Sequence, residues 1–269
     1  MKGSIGCERP GLLWEKGIRD LSVVATSASG CLLAALVFTS SAAGQVTTNC
    51  DREELFRLGD TPIFRPKQGN TAVFFAAGMS VDADGAPNAY CPEGKGLDYL
   101  SNAGHAGRWW GIATRDGEPL LQGPADPAPG CYISVTSLTD RTRPLTDPRR
   151  YVDATRVPYV VLPRIEFRQA ADVQLGDIVI VFRPSRKKWI AAIYADSNPR
   201  VGEGSIALAR ALGGPANPRR GGITEKLLYV VFPRSGSGAP LVEGEIAPRG
   251  EELLRKWGGD ARLAACAVH

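Results

Sequence analysis

The sequence contains very little histidine. There are two histidines in 269 residues, and one of them, His269, is the last residue of the chain. The other, His105, lies in the small-residue run A-G-H-A-G at positions 103–107, and no G-x-S-x-G motif accompanies it. The sequence therefore does not favour a serine or cysteine nucleophile activated by histidine. We predict that His105 is an ordinary loop residue.

Motifs for binding metals or nucleotides are also scarce. No two cysteines have the C-x-x-C spacing of a zinc site, and a single internal histidine adds little to one. No G-x-G-x-x-G motif follows a strand pattern, and there is no Walker loop. The D-A-D-G run at 82–85 is similar to the start of a calcium loop, but Pro87 and Tyr90 do not continue the ligand pattern. We therefore expect no metal and no organic cofactor.

Strong charge of one sign is absent too. The formal net charge is +4 at pH 7, the basic residues are scattered, and no RNA- or DNA-binding motif is present. The short basic cluster at 183–188 is typical of a solvated hairpin turn. We therefore expect no nucleic-acid partner.

No apolar run is long enough for a clear membrane-spanning helix, which needs about 20 strongly apolar residues. The uncharged stretch at 21–38 instead follows a region with four basic residues, and small residues of the type that signal peptidases accept follow at 41–43. We predict a signal peptide at 1–43 and a secreted or periplasmic domain at 44–269, without membrane contact after signal removal. An uncleaved anchor, or a start codon placed too early, would give a similar pattern.

Removal of residues 1–43 would leave four cysteines, Cys50, Cys91, Cys131 and Cys266. An even number without metal-binding spacing is typical of two disulfide bonds formed in an oxidising compartment. Three pairings are open to four cysteines. We prefer Cys50 with Cys91 and Cys131 with Cys266, because each bond would then tie down one terminal segment.

Glycine (31 residues) and proline (20 residues) are frequent, which favours short strands and turns over a helical bundle. Apolar and alternating patterns predict strands at 71–77, 109–114, 131–138, 157–162, 177–182, 189–195 and 227–232. Helical patterns cover 52–58, 205–212 and 251–257, with one helical turn at 97–103. The strands at 177–182 and 189–195 flank a turn and should form a hairpin. Because so many strands cannot all be edges, we predict a single mainly β domain, a small closed β-barrel with a few short helices.

Carboxylates remain as candidate catalytic groups. In the segment 189–212, a strand pattern ends on Asp196, and Glu203 lies between two glycines just before a helical pattern. Glycoside hydrolysis needs two such groups, one protonated and one ionised. Burial at a strand end would keep Asp196 protonated as the acid, and the helix N-terminus would keep Glu203 ionised as the base; the reversed roles are the alternative. A turn-capping Asp and a helix-stabilising Glu would give the same pattern.

Other polar and aromatic side chains are candidates for substrate binding. The polar candidates are Asp82, Asp84 and Asn198, and the aromatic ones are Trp109 and Tyr132, chosen from a group that also contains Tyr99 and Trp110. Sugar rings stack on aromatic side chains, but aromatics in strand patterns more often belong to the core. A D-x-D-G run likewise more often forms a simple turn.

Six short runs occur in order along the chain: M-S-V-D-A-D-G-A at 79–86, V-P-Y-V-V-L-P at 157–163, G-D at 176–177, A-D-S-N at 195–198, G-E-G-S at 202–205 and Y-V-V-F at 229–232. Through them, residues 71–233 resemble the glycoside hydrolase family 75 chitosanases of fungi and bacteria, as a divergent bacterial relative. The resemblance implies a β-barrel-like fold, of which the double-psi barrel is one form. It also implies an endo-acting, inverting hydrolase of β-1,4-linked glucosamine polymers, without a cofactor. It places the essential Asp and Glu of the family at Asp196 and Glu203, and Gly204 stands where alanine is usual.

Two features favour other interpretations. The loop between Asp196 and Glu203 is shorter than the family pattern. Residues 1–43 carry four basic and three acidic residues, so the remainder keeps a net charge of +3, which would repel the polycation chitosan. A less cationic polymer, such as partly acetylated chitosan or a cell-wall glycan, is the alternative substrate. A non-catalytic glycan- or partner-binding domain on the same fold is the alternative function.

Overall fold

One large β-sheet organises the part of the chain that the computed structural model describes, residues 49–241 and 243–267 without the side chain of Glu243. Its eight strands are β1 (Arg52–Leu58), β2 (Thr61–Pro66), β3 (Val73–Asp82), β4 (Tyr159–Val161), β5 (Ile178–Arg183), β6 (Lys188–Asp196), β7 (Glu203–Ser205) and β8 (Ile223–Val231). Strands β3, β7, β4, β6, β5 and β8 pair in that order, and β8 pairs again with β3, so the six close into a barrel. The predicted mainly β fold with a small closed barrel is confirmed; its double-psi form stays a prediction.

Short helices and loops surround the barrel. Within the described residues, the α-helices are α1 (Arg164–Ala171), α2 (Ile206–Ala211), α3 (Ile246–Trp257) and α4 (Gly259–Ala267). Single 3-10 turns occur at Pro92–Gly94, Leu100–Asn102, Pro148–Arg150, Pro184–Arg186 and Glu243–Glu245, and two small ladders join Gly104–His105 to Arg108–Trp109 and Thr114–Arg115 to Glu118–Pro119. None of the helices in this part of the chain is long and apolar enough to span a bilayer. The predicted signal peptide at 1–43 lies outside the described residues.

Both faces of the barrel wall are buried. Four successive residues of β5, from Ile178 to Val181, have 0% exposure, although successive side chains of a strand point to opposite faces. Helix α3 packs on β5 and β6 and covers the outer side. Phe75 of β3 and Tyr229 of β8 are register partners whose rings stack at 4.7 Å between centroids. Burial of each such side chain stabilises the fold by about 1.5–3 kcal/mol.

Several predicted elements are confirmed near the later site. The hairpin predicted at 177–195 is formed by β5 and β6, which pair antiparallel across a 3-10 turn. The helix predicted at 205–212 is α2, and the Oγ atom of its N-cap residue Ser205 accepts a hydrogen bond from Leu208 N at 3.1 Å. Strands predicted at 71–77, 157–162 and 227–232 correspond to β3, β4 and β8.

Three local predictions are wrong. Residues 52–58 form strand β1 rather than a helix, because Gly59, with φ of 55°, allows a tight turn and β2 then pairs antiparallel with β1. The strand predicted at 131–138 is reduced to isolated bridges, such as Tyr132 with Leu121, and the one at 109–114 is broken. Prolines and glycines in the neighbouring 119–130 loop lack the donors and the regular backbone that a continuous ladder needs.

Two disulfide bonds are present, as predicted, but their pairing differs from the predicted one. Cys50 bonds to Cys266, with 5.0 Å between Cα atoms, and Cys91 bonds to Cys131, with 4.2 Å. The first bond joins the start of the barrel domain to α4. The second joins two loops that already pack together, since Tyr132 N donates to Tyr90 O at 2.9 Å. Packing between distant segments determines which cysteines pair, and the spacing of the cysteines in the sequence does not show that packing.

The two bonds should differ in their effect on stability. In the chain-entropy account, the bond across 216 residues stabilises the fold by about 1.5 kcal/mol more than the bond across 40 residues. We therefore expect the Cys50→Ser, Cys266→Ser double variant to have a lower free energy of unfolding than the Cys91→Ser, Cys131→Ser variant. Chemical denaturation without reductant measures both. A larger loss in the second variant would contradict the account.

Candidate active site

The two candidate catalytic carboxylates flank the same residue of the barrel wall. Asp196, the last residue of β6, and Glu203, the first residue of β7, are both register partners of Val161 in β4. Neighbouring strands lie about 4.8 Å apart, so the two Cα atoms are about 10 Å apart across β4. The register of β6 with β4 shifts between Tyr194 and Asp196, and both Asp196 and Glu203 line one groove. The topology thus brings together the two carboxylates that the sequence selected.

Close packing around β7 holds Glu203 in place. Gly202 has φ of 91°, and a Cβ atom on it would lie 2.7 Å from Gly78 O. That close approach lets Ser80 N donate to Gly202 O at 2.9 Å and starts the parallel pairing of β7 with β3. Gly204 is equally crowded, because a Cβ atom there would lie 2.8 Å from Leu208 Cδ2. A glycine at the position where alanine is usual therefore fits this packing.

Asp196 and Glu203 open into one groove with a volume of about 420 Å³. The groove is rich in carboxylates and amides, and it includes three of the five residues predicted to bind substrate. Its lining contains Ser80, Val81, Asp82, Asp84, Tyr90, Asp98, Ser101, Asn102, Trp110, Val161, Asp196, Ser197, Asn198, Arg200, Glu203 and Pro218. Trp109 and Tyr132 are not in this lining; both are partly buried and pack against the core. Their neighbour Trp110 is 56% exposed and does line the groove.

A larger groove elsewhere does not offer the same chemistry. It has a volume of about 510 Å³ and is lined mainly by apolar and proline residues, with Asp153 as its carboxylate. The Asp153 carboxylate accepts hydrogen bonds from Thr155 N at 2.8 Å and Thr155 Oγ1 at 2.7 Å. It therefore caps a turn, and volume alone does not identify the site.

Asp196 is held by hydrogen bonds to one of its two oxygens. Oδ1 accepts from Ser137 N at 2.9 Å, Ser137 Oγ at 2.7 Å and Ser197 N at 2.9 Å. These donors favour the ionised form, but burial of the carboxyl group outweighs them and raises the pKa of Asp196. A neutral acid can keep all three bonds, with Oδ1 as the carbonyl oxygen and the proton on Oδ2.

Glu203 has a different environment. Its Oε2 atom accepts a hydrogen bond from Asn198 Nδ2 at 2.9 Å, and the positive charge of Arg200 lies close by. Burial nevertheless raises the pKa of Glu203, where the helix N-terminus was expected to lower it. The reason is geometric: Glu203 belongs to strand β7, and the N-cap of α2 is Ser205, two residues further on.

Asp82 and Asp84 line the same groove as Asp196 and Glu203 and lie close to Asp196. Burial, and then the negative charges of Asp196 and Glu203, raise the pKa of Asp82 well above its usual value. Burial and the charge of Asp82 do the same to the pKa of Asp84, even though Tyr90 Oη donates to Asp84 Oδ1 at 2.6 Å. Like charges in one partly desolvated site cannot all be ionised. Some of these carboxyl groups therefore hold their protons to a higher pH than a free carboxyl group does.

Among the described residues, the carboxylate oxygens of Asp82, Asp84 and Asp196 lie within 4.8 Å of one another. Such a group can be satisfied either by protons or by a cation. Tyr90 Oη donates to the Asp84 carboxylate, which satisfies part of the group within the protein, and Tyr159 Oη donates to the main-chain Asp84 O at 2.9 Å. We assign no cation to it.

Sequence reasoning did not find several lining residues. Asp98 and Asn102 come from the loop after Cys91, and Pro218 comes from the loop between α2 and β8. Neither loop contains a motif that marks a site. The only usable signal was the pair of neighbouring tryptophans, and strand alternation could not decide which of them faces the groove.

A groove lined by carboxylates on the wall of a closed barrel is suited to a hydrolase that works by acid–base chemistry. The family model for the fungal chitosanases of glycosyl hydrolase group 75 matches residues 79–247, which is more than half of the chain. The chain therefore belongs to this family and is a glycoside hydrolase. The match confirms the resemblance and extends past its predicted end at 233 to the start of α3. A comparison with curated proteins gives no match.

The raised pKa values predict how stability depends on pH. Above pH 3.8, the usual pKa of an Asp carboxyl, folded Asp82 and Asp84 bind more protons than the unfolded chain does. Their contribution to the free energy of unfolding is therefore complete below that pH and declines as the pH rises towards neutrality. Asp84→Asn, which is close in shape to the protonated acid, should weaken this decline.

Denaturation over a series of pH values measures the effect. The control is Asp172→Asn, which removes an exposed carboxylate paired with Arg234. We expect the difference in stability between Asp84→Asn and the wild type to grow with pH. A constant difference would contradict the raised pKa of Asp84.

Proposed function

We propose that this glycoside hydrolase is a secreted or periplasmic endo-enzyme that cleaves the β-1,4 bonds of chitosan or a related amino-sugar polymer. Asp196 and Glu203 act as its catalytic pair in an inverting mechanism. The observation that carries the proposal is that both side chains open into one groove from strands on either side of Val161. An open groove, unlike a closed pocket, suits a polymer that is cut internally.

The spacing across β4 supports inversion. An inverting enzyme keeps its two carboxyl groups about 6.5–9.5 Å apart to admit a water, whereas a retaining enzyme keeps them about 5–5.5 Å apart. With one complete strand between them, Asp196 and Glu203 have Cα atoms about 10 Å apart. A Cα separation of this size is compatible with carboxyl groups spaced to admit a water molecule between sugar and base. The short loop from Asp196 to Glu203 is compatible with this spacing, because the strands fix it.

The environments of the two groups support Asp196 as the acid and Glu203 as the base. Burial raises the pKa of Asp196, which favours the protonated acid with its proton on Oδ2. It then protonates the leaving glycosidic oxygen. Glu203 lies beside Arg200 and accepts a hydrogen bond from Asn198, both of which favour the ionised form that activates water. As this water attacks the anomeric carbon, Glu203 takes its proton.

Local charge supports a cationic substrate despite the positive net charge of the chain. Asp82, Asp84 and Asp98 add to the catalytic pair, and Arg200 is the basic residue in this lining. The carboxyl groups of this lining that stay ionised attract ammonium groups more strongly than the distant positive surface repels them, since salt screens the longer distances. We therefore place Asp82, Asp84 and Asn198 in substrate binding. Trp109 and Tyr132, which lie outside the lining, have no such support.

One observation and one prediction fit the proposed location. The two disulfide bonds are of the kind that persists in an oxidising compartment. The predicted signal peptide at 1–43 would deliver the domain there.

Isosteric variants test the catalytic pair. Asp196→Asn and Glu203→Gln should each lower kcat on chitosan by about 10²–10⁴-fold, because each removes one proton transfer. Both should fold normally, since each replaces a carboxyl by an amide of the same shape. Release of reducing ends measures the rate, and thermal unfolding checks the fold.

Matched controls are Asp172→Asn and Glu252→Gln, which change exposed carboxylates in surface ion pairs. Both should keep the wild-type rate. Full activity in Asp196→Asn or Glu203→Gln would contradict the assignment. Binding of chitosan by the wild type without product would instead indicate the non-catalytic binding domain.

A further inference from the structure

Trp110 is a large aromatic side chain that the fold leaves uncovered. It is 56% exposed and lines the groove that contains Asp196 and Glu203. Its indole Nε1 donates a hydrogen bond to Asn102 O at 2.7 Å, so the ring has a fixed orientation. Tryptophan is usually covered because its apolar area is large. An exposed ring that is held by its polar edge presents its apolar face to whatever occupies the groove.

Asp98 holds the segment to which Trp110 is bonded. Its Oδ1 and Oδ2 atoms accept hydrogen bonds from Asn102 Nδ2 at 3.0 and 2.9 Å, and Oδ1 also accepts from Tyr99 N at 2.8 Å. The residue is 6% exposed and lies in the groove lining. A buried carboxylate with three such contacts fixes the turn at Leu100–Asn102, whose last carbonyl binds the indole.

Arg219 contacts the segment that contains Asp98. Its Nη2 atom donates to Gly94 O and Gly96 O, both at 2.7 Å, and to Asp98 O at 3.3 Å. Its guanidinium lies over the Tyr99 ring, 4.6 Å from the centroid. Arg219 belongs to the loop between α2 and β8, more than 100 residues away in the chain. The contacts run from Arg219 through Asp98 and Asn102 to Trp110.

We propose that Trp110 is the residue on which a sugar ring of the polymer stacks in the groove, and that Arg219 is a positioning residue for it. The inference rests on the proposed polysaccharide substrate. A pyranose ring has an apolar face of C–H groups, and an indole face is its natural complement. The contact with Trp110 is made before and during reaction alike, so it should strengthen binding and leave the chemical step unchanged.

Steady-state kinetics on chitosan test the role of Trp110. We expect Trp110→Ala to raise KM about tenfold, the equivalent of about 1.4 kcal/mol, with kcat within about twofold of the wild type. Trp110→Phe keeps an aromatic face and should restore most of the affinity. Trp189→Phe is the control, because Trp189 bonds to Asp260 and is absent from the groove lining. It should leave KM unchanged.

A double-variant comparison tests the role of Arg219. Arg219→Met should raise KM several-fold. The Trp110→Ala, Arg219→Met double variant should have the same KM as Trp110→Ala alone, because Arg219 acts through Trp110. If Arg219→Met does not fold, Arg219→Lys, which keeps the positive charge, replaces it in the same comparison of KM values. Additive losses in the double variant would overturn the positioning role.

Binding measured without turnover separates this inference from the proposed function. Calorimetry measures the affinity for a glucosamine hexamer in the Glu203→Gln variant, with and without Trp110→Ala. Trp110→Ala should weaken this affinity by the same factor by which it raises KM. Unchanged affinity in Trp110→Ala, with an active wild type, would overturn the stacking role alone. A wild type that releases no reducing ends from chitosan would overturn the proposed function itself.

Discussion

Strand β4 is the constraint on which the rest of the site depends. Its last residue, Val161, pairs with Asp196 on one side and with Glu203 on the other, so one apolar residue sets the separation of two carboxylates. The three residues of β4 are at most 2% exposed. Because the barrel closes through β3 and β8, no strand can slip without breaking the pairing all around the ring. A short strand therefore fixes the spacing of the two backbone segments that carry Asp196 and Glu203.

The site also depends on gathering negative charge where water is scarce. Burial and mutual repulsion raise the pKa of Asp82 and Asp84 above that of a free carboxyl, and the fold retains them through tyrosine donors. Unpaired acidic groups reduce stability, so such clusters persist where function needs them. Asp196 lies in the same cluster, and burial raises the pKa of its carboxyl group as well.

Local patterns predicted the elements closest to the chemistry. The hairpin of β5 and β6, the strand β4 and the helix α2 follow from alternation, turn residues and capping. Of the two candidate carboxylates, these elements carry Asp196, whereas Glu203 lies in β7, a strand that the sequence did not predict. What failed depends on contacts between distant segments. Strand β1 exists because β2 pairs with it, Cys50 meets Cys266 because both ends of the domain pack together, and the orientation of Trp110 depends on a network that ends at Arg219.

The stereochemistry of hydrolysis tests the central claim most directly, because it reports whether a water fits between Asp196, Glu203 and the sugar. Proton NMR of a glucosamine hexamer, recorded within the first minutes of hydrolysis by the wild-type enzyme, identifies the anomer formed at the new reducing end before mutarotation. The separation across β4 predicts that the α-anomer appears first. Initial appearance of the β-anomer would show retention and would contradict the account of the two carboxylates.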